Sequence, residues 1–213
     1  MIVFFKILIT QFFLFFFAFS EELKDDSEYY DEGVNYYDNG DFKKSFIVFF
    51  NLSEKGNKDA IYNLSNMYFQ GIGTTQNYNK SLKYTWLCAL NGNKKCIKKL
   101  DKIKKRLDEK EVLIISEEIP ILLEEEYKNE NNIISAFKLG YWYENFSPEI
   151  DYEKSYLWYS VSVSGGIYKA MKLRDRVGEE IEAEKIVELQ AEAEEIFTKN
   201  KYFNENKNME GNI

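Results

Sequence analysis

The sequence predicts an all-α chain built as an α-solenoid of about five helix hairpins. Three observations predict it: a segment recurs at a period near 36 residues, its apolar residues fall at helical spacing, and only two prolines interrupt 213 residues.

Residues 1–20, MIVFFKILITQFFLFFFAFS, carry one lysine and then an uncharged apolar run from Ile7 to Phe19. That run is shorter than the roughly 20 residues a membrane-spanning helix needs. Ala18 and Ser20 place small residues where a signal peptidase reads, and acids follow at once. The expectation is a cleavable secretory signal, with an uncleaved signal anchor as the alternative. Export to a periplasm or the exterior, or to a eukaryotic lumen, follows from it. Cleavage leaves 27 basic and 36 acidic residues, a net charge of -9. An acidic chain read as holding no long basic stripe is a poor match to phosphate backbones, so nucleic acid is not an expected partner.

Residues 21–200 hold the repeats. KKSFIVFFNLSEKGNKDA (43–60), NKSLKYTWLCALNGNKKC (79–96) and EKSYLWYSVSVSGGIYKA (153–170) align on a Lys-Ser pair. Eleven residues after Ser45, Ser81 and Ser155 come Gly56, Gly92 and Gly166, and four residues later Ala60, Cys96 and Ala170. The stretch before each pair also recurs: Leu64, Ser65 and Tyr68 match Leu139, Gly140 and Tyr143. Ala60, Leu64 and Tyr68 lie on one face of a helix, and Gly71 with Gly73 break it into a loop. Ser81, Tyr84, Cys88 and Ala89 share a face of the next helix, which Gly92 ends. A hairpin of this kind cannot bury its own apolar face, so neighbours must stack.

The copies at 60–95 and 135–170 are strong, and those at 25–59, 96–134 and 170–200 are weaker. Asp108 with Glu111 resembles a capping box, and Pro120 is expected to kink or break the helix it opens near Ile119. Residues 201–213, KYFNENKNMEGNI, are polar and aperiodic and read as a disordered tail.

Signals of chemistry are scarce. With no histidine, Ser-His and Cys-His pairs and zinc-binding HExxH are impossible. No catalytic residue, metal ligand or cofactor is assigned. Ser135-Ala-Phe-Lys138 fits a Ser-x-x-Lys motif by letter, but its serine sits in a small-residue packing slot. Runs such as Glu124-Glu125-Glu126 read as solvated helix faces. Asn51, Asn63, Asn79 and Asn145 open glycosylation sequons, read as coincidence in an asparagine-rich chain. Cys88 and Cys96 could be a staple, two buried thiols or half of a metal site; the last lacks further ligands.

These motifs resemble the Sel-1-like repeat family of tetratricopeptide-type α-solenoids. Its pattern, Ala-x4-Leu-Gly-x2-Tyr-x2-Gly-x-Gly, an acid, Lys-Ala, an aromatic, Ala-Ala and Gly-Asn, is matched by Ala60, Leu64, Tyr68, Gly71, Gly73, Lys80, Tyr84, Ala89, Gly92 and Asn93. Leu139, Gly140, Tyr143, Asp151, Lys154, Trp158 and Gly166 match it again; Ser65, Ser81, Ser155 and Phe146 depart from it. The resemblance implies a right-handed superhelix whose concave groove holds a protein or peptide. It also implies a Cys88–Cys96 disulfide, as in the cysteine-containing secreted bacterial members. Small residues at Ala60 and Ala170, the slots equivalent to Cys96, agree with the close approach a disulfide requires. First-helix residues off the packing stripe, Tyr30, Tyr62, Asn66, Met67, Tyr141 and Trp142, with Phe137, are the candidate groove contacts. A monomer is expected, touching a membrane only if the signal stays uncleaved. A cell-envelope enzyme, β-lactamase-like or a cell-wall hydrolase, is the disfavoured alternative.

Overall fold

A computed structural model describes residues 25–210. The segment expected as a signal, residues 1–20, lies outside them, as do residues 211–213. Ten α-helices follow one another with no strand among the described residues. They are α1 Asp26–Asp38, α2 Phe42–Glu54, α3 Lys58–Gln70, α4 Tyr78–Leu90, α5 Lys94–Lys104, α6 Glu109–Glu130, α7 Ile133–Asn145, α8 Tyr152–Ser164, α9 Met171–Gly178 and α10 Ala183–Glu210. A 3-10 turn, Tyr168–Ala170, leads into α9. No helix among the described residues is long and apolar enough to cross a membrane.

The repeat positions have local physical causes. Gly56, Gly92 and Gly166 end α2, α4 and α8 with φ of 78°, 83° and 94°, the left-handed region glycine enters without strain. The next residue in two copies then starts the following helix: Asn57 Oδ1 accepts from the amides of Asp59 and Ala60, and Asn93 Oδ1 from Lys95. Asn77 and Asp151 cap α4 and α8 in the same way, through the amides of Lys80 and Lys154. The slot four residues after each glycine is fully buried, at 0% exposure for Ala60, Cys96 and Ala170.

Within a hairpin the two helices meet where side chains are smallest. A Cβ on Gly140 of α7 would stand 2.5 Å from the Tyr159 ring of α8. Beside it, Ser155 Oγ donates to the Gly140 carbonyl at 2.9 Å, and Ser81 Oγ donates to the Ser65 carbonyl at 2.9 Å. In these two copies the serine of the Lys-Ser pair thus bonds the backbone of its partner helix. Ser45 fills the corresponding buried place in α2.

α1 packs on α2, α3 on α4, and α7 on α8, while α2–α3, α4–α5, α6–α7 and α8–α9 join successive hairpins. The weaker copies differ. α6 lies on α4 and α7, and α10 lies on α8, more than either lies on its own hairpin partner. The opened third hairpin lets α4 meet α7 directly, where Trp86 and Trp142 pack edge to face with centroids 5.1 Å apart.

Four expectations meet a direct observation. Cys88 and Cys96 form a disulfide, with Cα atoms 5.9 Å apart. Asp108 and Glu111 form the capping box, each side chain accepting from the other's amide. Pro120 does not break α6, which runs for 22 residues. Proline removes only its own bond, and Ile119 and Leu123, both at 0% exposure, anchor the helix on either side. The tail expected from residue 201 is helical as far as Glu210, because no proline or glycine stops α10 before Gly211. Asn200 ties that helix back, donating to the Tyr127 carbonyl at 3.2 Å and to Asn131 Oδ1 at 3.1 Å.

Two stability outcomes follow. Gly140→Ala should lower the unfolding free energy by about 1–3 kcal/mol in urea titration, since the added methyl meets a buried ring. Cys88→Ala with Cys96→Ala should lower the melting temperature relative to wild type in oxidising buffer. Its stability loss should reach about 2–3 kcal/mol, and most of the difference should vanish in reductant.

Candidate functional site

The first helix of a hairpin packs mainly through one stripe and leaves part of its surface open. On α3 the stripe is Ala60, Ile61, Leu64, Ser65 and Tyr68, all buried, while Tyr62, Asn63, Asn66 and Phe69 are half-buried. Four of the six groove contacts expected from the sequence converge between α1 and α3. Tyr30, Tyr62, Asn66 and Met67 line a cavity of about 410 Å³, completed by Val34, Tyr37, Phe49, Asn63 and Gln70. Asn63 Nδ2 donates to the Tyr30 hydroxyl at 3.0 Å, which fixes that phenol across the cavity. The Tyr30 ring rests on Phe49 at 5.5 Å, and burial, more than any neighbouring charge, raises its pKa. Met67 is 2% exposed and forms part of the wall rather than a free contact.

The remaining candidates lie elsewhere. Trp142 is 1% exposed and belongs to the core with Trp86. It is therefore corrected from groove to core: the opened third hairpin brings α4 within reach of it. Tyr141 is half-buried against Phe146, their centroids 5.6 Å apart, away from the α1–α3 cavity. Phe137 packs on Tyr159 and carries the Lys169 ammonium 4.2 Å above its ring.

Sequence reasoning also missed a basic helix. Residues 94–106 hold eight of the chain's 28 basic residues and one acid, Asp101. Its signal was legible in KKCIKKLDKIKKR, but the net acidity of the whole chain hid it. On α5, Lys95, Lys99 and Lys102 share the face turned to α3. The Lys99 ammonium donates to Asn66 Oδ1 at 2.6 Å and stands 5.0 Å from the Phe69 ring centroid. Lys102 stands 5.1 Å over the same ring, and Lys95 5.7 Å over Tyr62. Tyr62 and Asn66 thus belong to both the cavity and the lysine row.

A larger space, about 1030 Å³, opens between α6, the α7–α8 loop and the α9–α10 loop. Its glutamates Glu117, Glu149, Glu153, Glu180 and Glu182 are exposed, as solvated carboxylates ordinarily are, and its half-buried Asp151 caps α8. No cluster of potential metal ligands occurs among the described residues. The Ser135 hydroxyl is fully buried and donates to Glu126 Oε2 at 2.5 Å, so it is not presented to a substrate. Across the fourth hairpin, Tyr159 donates to Glu144 at 2.8 Å, and Arg176 of α9 pairs with the same carboxylate. That chain of contacts fixes α9 to α7 and α8.

Burial, with Lys102 as the lesser cause, lowers the Lys99 pKa from 10.5 to about 8. Between those values the unfolded chain holds more protons than the native one, so stability rises with pH there. The penalty is complete below pH 8. The unfolding free energy of wild type minus that of Lys99→Met should therefore increase from pH 7.5 to 9.5 in parallel urea titrations.

No family model matches the chain, and no curated protein matches it. Among solved structures it is similar to a protective antigen present in uropathogenic Escherichia coli strains, which displays an SLR (Sel-1-like repeat) fold. The identity is 15% and the TM-score 0.34, over 77% of this chain and 43% of that one. The chain thus spans less than half the length of that protein. On their own helices, caps and packing slots, the described residues are an all-helical repeat array consistent with a Sel-1-like fold.

Proposed function

We propose that the chain is an exported scaffold that holds an extended protein or peptide segment in its concave groove. One observation carries this reading: Tyr30, Tyr62, Asn66 and Met67 come together around a cavity of about 410 Å³ on the first helices of two successive hairpins. Aromatic rings bury apolar side chains at little cost in conformational freedom, and the amides of Asn63, Asn66 and Gln70 can meet peptide groups. Export is supported by the signal expected in residues 1–20 and by the Cys88–Cys96 bridge, which persists in oxidising compartments. The enzyme alternative has less support, because the nearest nucleophile motif, Ser135 with Lys138, has its hydroxyl buried.

Selection of peptides from a phage-displayed library on the purified chain tests the groove. Selected peptides should bind wild type and lose about tenfold or more in affinity on Tyr62→Ala, with the melting temperature nearly unchanged. Failure to select any peptide, or selection indifferent to Tyr62→Ala and Tyr30→Ala, overturns the groove. Fractionation of cells expressing the full chain tests export separately.

A further inference from the structure

The lysines of α5 form a row beside the α1–α3 cavity. Some lysines on α2, α4, α6, α8 and α10 reach carboxylates, as in Lys83–Glu118 and Lys128–Glu124, while Lys80 and Lys169 rest over the Tyr68 and Phe137 rings. Lys95, Lys99 and Lys102 pair with none among the described residues; amide and ring contacts hold them instead. Lys99 is half-buried in that setting. An ammonium removed from water without a counter-ion is costly, and an incoming anion relieves that cost.

The row adjoins the α1–α3 cavity through Tyr62 and Asn66. We propose that the groove takes an acidic peptide segment, its apolar side chains in the cavity and its carboxylates on Lys95, Lys99 and Lys102. This rests on the groove reading above and adds the chemistry of the occupant. Among polyanions, a peptide fits best. The three lysines border a cavity walled by tyrosine, asparagine and glutamine, which suits a backbone with side chains on both sides, and Asp31 and Asp59 act on Tyr30 at the far wall, so an occupant's carboxylates belong on the lysine side. A duplex or a bilayer would have to meet the remainder of a chain whose net charge is -8.

The test uses the full chain and short fluorescein-labelled peptides that are alike except for Glu, Gln or Lys at alternate positions. Fluorescence anisotropy at low salt should show the Glu peptide binding about tenfold or more tightly than the Gln peptide, with the advantage shrinking as salt is added. Lys99→Gln, and Lys95→Gln with Lys102→Gln, should remove the advantage. Lys128→Gln, whose partner is Glu124, should keep it. Equal affinity for Glu and Gln peptides, both weakened by Tyr62→Ala, overturns the acidic preference and leaves the groove standing. A Glu advantage untouched by the α5 variants overturns it as well, as does tighter binding of duplex DNA or phosphatidylglycerol vesicles than of the Glu peptide. Absence of binding by every peptide overturns it too, and the library selection then decides the groove on its own.

Discussion

The architecture depends on how closely two helix backbones can approach within a hairpin. At Gly140 the Tyr159 ring lies against bare backbone, and Ser155 spans the remaining gap to the Gly140 carbonyl. Ser81 and Ser65 repeat the bond one strong copy earlier. Such contacts cost little side-chain entropy and leave no buried hydroxyl unpaid for in those two copies. They also fix each hairpin's geometry before it meets a neighbour. Small residues at the next interface, Ala60, Cys96 and Ala170, then set how near the following hairpin comes.

With most packing on that stripe, part of the opposite side of α1 and α3 is left to do something else. On α3 this leaves Tyr62, Asn63 and Asn66, and on α1 Tyr30 and Val34, so the cavity is a by-product of how the hairpins stack. The disulfide adds a covalent limit between the end of α4 and the start of α5. It holds Lys95 and Lys99 in register with Tyr62 and Asn66, although α5 packs weakly on its own hairpin partner.

The helices and the Asp108 cap were legible because their causes are local. Gly56, Gly92 and Gly166 stop helices through backbone freedom, and Asp108 starts one with a single side chain; Asn57, Asn93 and Asp151 do the same, though their capping role was not read from the sequence. What was not legible depends on distant partners. Trp142 looked like a groove residue because its helical position is off the stripe; only the spreading of α5 from α6 places Trp86 against it. Pro120 looked like a breaker because sequence records the lost bond but not the burial of Ile119 and Leu123. Residues 201–210 looked frayed because they lack an apolar stripe, yet Asn200 secures the turn before them through polar contacts. The lysine row is a further case, since net charge averages away a local excess.

The contacts of Asn200 reach across the array, to the Tyr127 carbonyl of α6 and to Asn131 in its left-handed turn. They make α10 a latch laid over the last full hairpin, so that a disturbance at Asn200 would be felt at the turn between α6 and α7.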